Sequence, residues 1–444
     1  MKKQIEGKLT KGSIAQHVIK MSLAASVGLA AIFLVDLVDI YFLSLLGKDE
    51  ITAAVGYAST IIFFTTSLSI GFAIVMTALV SRSIGERDHE IASRWMTNVF
   101  ALTIIITSPI AILIWICIPF FLEMLGAQGS SLDMASTYLR ILIPSAPILG
   151  FAMSSASVLR SLGDAKRAML ATVGGAVVNA VFDPFFIFTL DLGIEGAAYA
   201  TVLARLSVFY LAFYPLKKYH DMHIYFDWRL FKKDLRPMIQ IFVPAVLTNL
   251  ATPIGNAYVM FAISKFGESA VAGISVIGRL TPVAFAVVYA TSGAVGPIIG
   301  QNYGAKYIDR VQETLSKTLQ FLLIYVILTS IILWLLADTI AASFHLDAEG
   351  KELVILFCKY ISITFFLNGA IFVSNAAYNN LGKAKVSTYI NFAKATIFTM
   401  PFVYFGAEYY GAIGILVGQA LGASIIGIAA ILYAFQFIRN LKSN

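Results

Sequence analysis

The sequence predicts an all-α polytopic membrane protein: twelve transmembrane helices in two six-helix lobes, related by a pseudo-twofold axis along the membrane normal. Three observations carry this. Of 444 residues, 59% are hydrophobic and only 13% are charged, against roughly half and about a quarter in a soluble domain. Apolar windows long enough to cross a bilayer recur along the chain, separated by charged or Gly/Pro-rich breaks. The second half also repeats the first at a shift of about 220 residues.

The windows fall at 14–46, 52–81, 94–122, 134–159, 167–190, 194–216, 236–264, 270–302, 314–343, 353–379, 386–407 and 411–437. Loop charge orients them. Lys2, Lys3, Lys8 and Lys11 precede the first span, Arg82, Arg87 and Arg94 follow the second, and Arg160, Lys166 and Arg167 follow the fourth. Lys217, Lys218, Lys232 and Lys233 follow the sixth, Lys306 and Arg310 the eighth, Lys383 and Lys385 the tenth, and Arg439 and Lys442 the last. The alternate loops hold little positive charge: Lys48, Lys265 and Lys351, each beside acids. Both termini are therefore expected in the cytoplasm, with the protein multi-pass in the cell (inner or plasma) membrane. The division expected is an N-lobe over 1–216, a basic cytoplasmic linker over 217–235 and a C-lobe over 236–444. Cys117 and Cys358 sit in apolar runs and read as small apolar side chains, not as a disulfide or metal pair.

The repeat is visible in short motifs. SRSIGER at 81–87 falls on GQNYGAK at 300–306, and RSLGDAK at 160–166 falls on NNLGKAK at 379–385. Six spans per repeat make the two halves parallel, the arrangement of alternating-access transporters. A membrane enzyme has no need of a full-length duplication, and the chain has no GxSxG, no HExxH and no metal-ligand spacing.

Polar residues inside spans then carry the argument. A charged carboxylate at a helix centre costs at least ~2.5–3.5 kcal/mol and is a functional candidate by default. LVDLVDIYF at 34–42 places Asp36 and Asp39 three residues apart on one helix face. VVNAVFDPFF places Asn179 and Asp183 four apart in span five, where Pro184 removes a backbone donor and frees a carbonyl. Thr201 lies in span six among Gly196, Ala197, Ala198 and Ala200, small residues that permit close approach. None of the five histidines, at 17, 89, 220, 223 and 345, is mid-span. Proton carriage then falls to carboxylates, while an Asn/Asp/Thr oxygen set also suits sodium. The repeat supplies a control. Asp36 falls on Asn256 and Asp39 on Val259; Asp183 falls near Pro401 or Phe402. The acids belong to the first half alone, which a purely structural role would not require. Arg205, Arg279, Lys359 and Lys394 are basic residues within spans.

VDIYFLSLLG at 38–47, the paired LRSLGDAK and NNLGKAK, and GQNYGAK, in this order over nearly the whole chain, resemble the multidrug and toxic compound extrusion (MATE) family. The resemblance is closest to its DNA-damage-inducible (DinF-like) branch. It implies export of organic cations against inward protons or sodium. Asp39 matches that family's span-one aspartate, and Asn179, Asp183 and Thr201 match the N-lobe cation site of the branch. Span seven lacks an acid and Asn368 stands near the span-ten position, so a second-lobe cation site is not implied. Two departures stand out: Asp36 is an additional acid, and Ala24 replaces a span-one proline.

The expected protein is a proton-coupled antiporter exporting lipophilic organic cations or drugs by alternating access. A sodium-coupled exporter and a lipid or lipid-linked-sugar flippase are the alternatives. Asp39, Asp36, Asp183, Asn179 and Thr201 are the expected ion-coupling residues. Asp39, Asn179, Asp183, Tyr41, Arg205 and Lys394 are the candidate cleft residues. No enzymatic activity, cofactor, bound metal or nucleic-acid partner is expected; H+ or Na+ is the coupling ion, and the protein is expected to act as a monomer in the bilayer.

Overall fold

In the computed structural model, residues 7–46, 49–344 and 346–443 are described. Of the residues singled out above, Lys2, Lys3, Gly47, Lys48 and His345 lie outside that set. Among the described residues the regular elements are all helices, joined by short turns and one longer loop at 221–227. With no water in the hydrocarbon core, a spanning segment satisfies its backbone groups internally, and long apolar runs become helices. They are α1 Ile14–Ser44, α2 Asp49–Gly85, α3 His89–Ile116, α4 Gly129–Ser161, α5 Ala165–Thr189 and α6 Gly193–His220. The second half supplies α7 Trp228–Phe266, α8 Glu268–Gly304, α9 Ile308–Ser343 and α10 Ala348–Asn380. A last run, Ala384–Lys442, completes the set.

Two runs differ from single straight spans. α8 bends by 47° between Glu268–Ala284 and Ala286–Gly304, after Pro282. Ala384–Lys442 is 59 residues long, about twice what a bilayer needs even with tilt. It breaks at Gly411, whose φ of 61° and ψ of −145° open a turn that a side chain would strain. Gly406 and Gly414, on either side, approach so closely that neither has room for a Cβ. The run is therefore two helices folded back on each other, α11 before Gly411 and α12 after it, and the span count among the described residues is twelve.

Chain contacts divide the molecule into two compact units. One is mainly Val27–Val246; the other joins Leu9–Ser26 to Leu247–Asn444. The sequence-based division at 216 and 236 differs in detail. Residues 217–246 pack with the first unit, and residues 9–26 pack with the second. Polar contacts explain both placements. In the first unit, Asp234 is 3% exposed and lies 2.9 Å from Arg94 Nε. Asn98 Nδ2 donates to it at 2.8 Å. In the second, Gln301 Oε1 accepts from Leu9 N at 2.9 Å, and Asn302 Nδ2 donates to Leu9 O at 3.1 Å. The Gln and Asn of GQNYGAK thus hold the segment before α1.

The repeat reappears as matching turns. Arg87 and Lys306 both adopt positive φ, 60° and 63°, in SIGER and NYGAK. Gly163 and Gly382 do the same, at 75° and 78°, in SLGDAK and NLGKAK. In the first unit Asp164 caps α5, accepting from Arg167 N at 3.3 Å and Arg167 Nη1 at 2.6 Å. His220 Nε2, at the end of α6, lies 2.8 Å from the same carboxyl. Partial burial pushes this carboxyl up, but the bonds from His220 and Arg167 outweigh it and hold Asp164 well below the usual carboxylate range.

Two outcomes follow. A folded-state value depressed below the ordinary 3.8 stabilises the fold above that value and loses the benefit as pH falls through the folded value. Asp164→Asn is expected to lower the melting temperature at neutral pH, with the gap to wild type closing below about pH 4. Thermal unfolding across pH in detergent reads this. Arg94→Met leaves Asp234 buried and uncompensated and is expected to cost about 3 kcal/mol. Adding Asp234→Asn should recover part of that loss, and simple additivity in a double-mutant thermal series would contradict the pairing.

Candidate functional site

The first unit gathers its intramembrane polar groups from α1, α4, α5 and α6. Asp183 is fully buried and Asn179, one turn earlier on α5, is 7% exposed. The Asp39 carboxyl on α1 lies beside that of Asp183, close enough for the two to interact. Both Asp183 oxygens, Asp39 Oδ1 and Asn179 Nδ2 have no hydrogen-bond partner among the described residues. Buried polar atoms are ordinarily satisfied, so orphans gathered at one place point to a missing proton, ion or water.

The backbone explains the placement. α5 is a regular helix up to Pro184, and then widens into a π-helical turn over Phe185–Thr189. Such turns recur at functional sites. Gly196 of α6 lies against this turn: a Cβ there would sit 2.7 Å from Phe186 C and 2.8 Å from Ile187 N. That close approach brings Thr201 to the site. Its hydroxyl donates to Ala197 O at 2.9 Å, which leaves its lone pairs free to accept.

Two further groups complete the cluster. Arg205 Nη1 donates to Ser145 Oγ at 2.7 Å and to Leu142 O at 3.3 Å, where a short 3-10 turn, Ile143–Ser145, interrupts α4. Its guanidinium is thereby held by neutral oxygens. Tyr138 of α4, 9% exposed, is within hydrogen-bonding reach of Thr201 and feels the charges of Arg205, Asp39 and Asp183. Sequence reasoning missed Tyr138. The available signal was weak: a buried phenol requires a polar partner.

Asp36 and Asp39 separate. The structure pairs Asp39 with Asp183 on α5 and leaves Asp36 on an exposed side of α1. Residues three apart are offset by about 60° around a helix, enough to divide their surroundings, although the two charges still interact. Tyr41 is 59% exposed, its ring 6.0 Å from that of Phe42. Lys394 lies in the second unit, at the start of a π-helical turn, Lys394–Phe398. There Nζ donates to Asn368 Oδ1 at 2.6 Å. Lys359 is accounted for by Asp338, 3.0 Å away.

The model for MatE matches twice, over residues 24–185 and 244–405. The chain belongs to the MatE family. The offset between the two MatE matches is 220 residues, the shift of the internal repeat. Over 441 residues the chain is 27% identical to an FAD transporter of Shewanella oneidensis, covering 98% of this chain and 97% of that one. It is 20% identical over 433 residues to the multidrug export protein MepA of Staphylococcus aureus, covering 96% and 94%. Its structure superposes on the outward-facing conformation of a multidrug-resistance MATE family transporter with a TM-score of 0.92, at 25% identity and full coverage of both chains. MatE members are transporters, and this chain is a multi-pass membrane transporter, not an enzyme.

Gly196 tests the site's construction. Gly196→Ala is expected to push α6 away from the π turn and to cost about 1–3 kcal/mol as an overpacked contact. Dye efflux should fall further than the amount of inserted protein, since Thr201 moves with the helix. Efflux that tracks protein amount alone would contradict this reading.

Proposed function

We propose that the protein exports amphipathic organic cations, drugs among them, by antiport against protons. The observation that carries this is the neighbouring pair Asp39–Asp183 inside the spans, with Asp183 fully buried and both its oxygens and Asp39 Oδ1 without a hydrogen-bond partner among the described residues. Two such groups repel once both are ionised. Arg205, the buried cation of span six, is occupied by Ser145 and Leu142. A proton shared between the carboxyls is the simplest way to hold them together. Its loss frees negative charge that attracts a cationic substrate, and its return expels that substrate. Proton and substrate must then disfavour each other to the same degree.

Thr201 and Asn179 extend the oxygen set, and Tyr138 links Thr201 to the acids. Asp36, on the open side of α1, modulates the charge of Asp39. Sodium at Asp39, Asn179, Asp183 and Thr201 is the second reading, favoured by this oxygen-rich set. The likeness to MepA supports drug export, and the likeness to an FAD transporter widens the substrate range considered. The loop charges support a cell-membrane protein with both termini cytoplasmic, and it acts as a monomer without a cofactor.

Ethidium efflux from energised vesicles tests the reading. Asp39→Asn and Asp183→Asn should each reduce it by at least about tenfold, and Asp36→Asn should shift its pH dependence with less loss. A pH gradient without sodium should drive efflux, and a sodium gradient at fixed pH should not. Undiminished efflux in both aspartate variants overturns the assignment; drive by sodium alone selects the second reading.

A further inference from the structure

The second unit holds a cation that no carboxylate neutralises. Lys394 lies ten residues into the run from Ala384, or about 15 Å at 1.5 Å per residue, near the middle of a bilayer. Asn368 lies twelve residues before the end of α10 at Asn380, a comparable depth. Among the described residues no carboxylate is within ion-pairing distance of Lys394; its bond goes to the Asn368 side-chain oxygen. The acids of this unit stand elsewhere. Glu268, Asp309, Glu313, Asp347, Glu349 and Glu352 lie near helix starts, Glu408 lies three residues before the break at Gly411, and Asp338 is taken by Lys359. An unpaired charge at this depth is expensive and marks a functional position.

Three features make the position a site. Both side chains are only half-buried, so the pair is open on one side. The lysine begins a π-helical turn, where local backbone geometry departs from the regular helix. α7 runs beside this turn, with the Gly255 Cα position against Ala395. That helix carries Thr248, Thr252 and Asn256 at intervals of four, one polar stripe, with Thr252 and Asn256 exposed. A stripe of exposed polar groups at mid-span requires water or a polar ligand rather than lipid. The repeat shift of 220 places Lys394 on Gly174 and Asn368 on Ile148. The pair is an addition to the second half, as the acids are to the first.

We propose that the Lys394–Asn368 pair binds an acidic group of the transported molecule, a carboxylate or a phosphate. The ammonium supplies the charge, and the Asn368 amide, already held by the lysine, presents its N–H groups toward the same anion. The transported class therefore includes anionic and zwitterionic amphipaths beside lipophilic cations. This goes beyond proton-coupled cation export and does not depend on the coupling ion.

Riboflavin and FMN share one ring system and differ by a phosphate. Their binding to the purified full-length protein, followed by flavin fluorescence at fixed pH, separates the ring from the acidic group. Wild type is expected to bind FMN about tenfold more tightly than riboflavin. Lys394→Gln should bring FMN down to riboflavin and leave riboflavin unchanged, Lys394→Arg should keep most of the preference, and Asn368→Leu should reduce it. Equal binding of the two flavins by wild type, no binding of FMN, or a preference that survives Lys394→Gln overturns the proposal. The wild-type comparison decides against it without any variant, and Asn368→Leu serves where Lys394→Gln does not fold. Ethidium efflux is read separately, so failure here leaves cation export standing, and the reverse.

Discussion

Two carboxyls facing each other inside a membrane constrain everything around them. Asp39 and Asp183 come from different helices, and both Asp183 oxygens and Asp39 Oδ1 have no hydrogen-bond partner among the described residues. Hydrocarbon cannot solvate them, so the protein must. It does so with short-range devices: a proline that ends regular helix at Pro184, a π turn after it, and a glycine that lets α6 close on that turn. Remove any of these and the acids lose their neighbours before they lose their charge. The same constraint explains Arg205. A guanidinium paired directly with the acids would cancel their charge. Ser145 and Leu142 hold it on neutral oxygens instead.

The duplication separates scaffold from chemistry. Turns recur with nearly the same φ, Arg87 with Lys306 and Gly163 with Gly382. Those turns mark where helices start and stop in both halves. Charge inside the spans does not recur. The first half carries Asp36, Asp39 and Asp183; the second carries Lys394 with Asn368 and the exposed Arg279. A symmetric scaffold with asymmetric polarity gives a transporter two chemically different polar regions.

Legibility in the sequence followed the range of the interactions. Span positions, the repeat and the membrane class were readable because each rests on composition or on local turn residues. The sequence places a break between the windows 386–407 and 411–437, and the hinge falls at Gly411, the first residue after it. Asp39, Asn179, Asp183 and Thr201 stood out as polar groups in apolar runs. Their partners did not. Spacing put Asp36 beside Asp39 on one face, yet tertiary packing selected Asp183 as the near neighbour, a choice made by α5 that no window on α1 contains. Tyr138 was invisible for a related reason: a tyrosine near the start of a span looks like an interfacial anchor. Gln301 and Asn302 appeared only as motif letters, and their work, holding Leu9, joins residues 292 and 293 apart in sequence.

The same pattern bears on how the chain is divided. The unit boundaries fall at Ser26/Val27 and at Val246/Leu247. Those positions differ by 220, the repeat shift, so the two halves divide their first helix at the same point. α1 therefore begins among the contacts of one unit and carries Asp39 in the other, and α7 does the converse with Asp234 and the stripe at Thr248, Thr252 and Asn256. A lobe cut cleanly between spans six and seven would leave no continuous helix common to both units. The observed division leaves two, and each carries polar groups that its own half must place. Asp39 thus stands on a helix whose first turns belong to the contacts of the other unit, just after a segment that Gln301 and Asn302 hold at Leu9. The placement of Asp39 along a continuous helix, with every backbone polar group satisfied within it, is therefore set by packing at both ends of α1 and not by the acid's own surroundings alone.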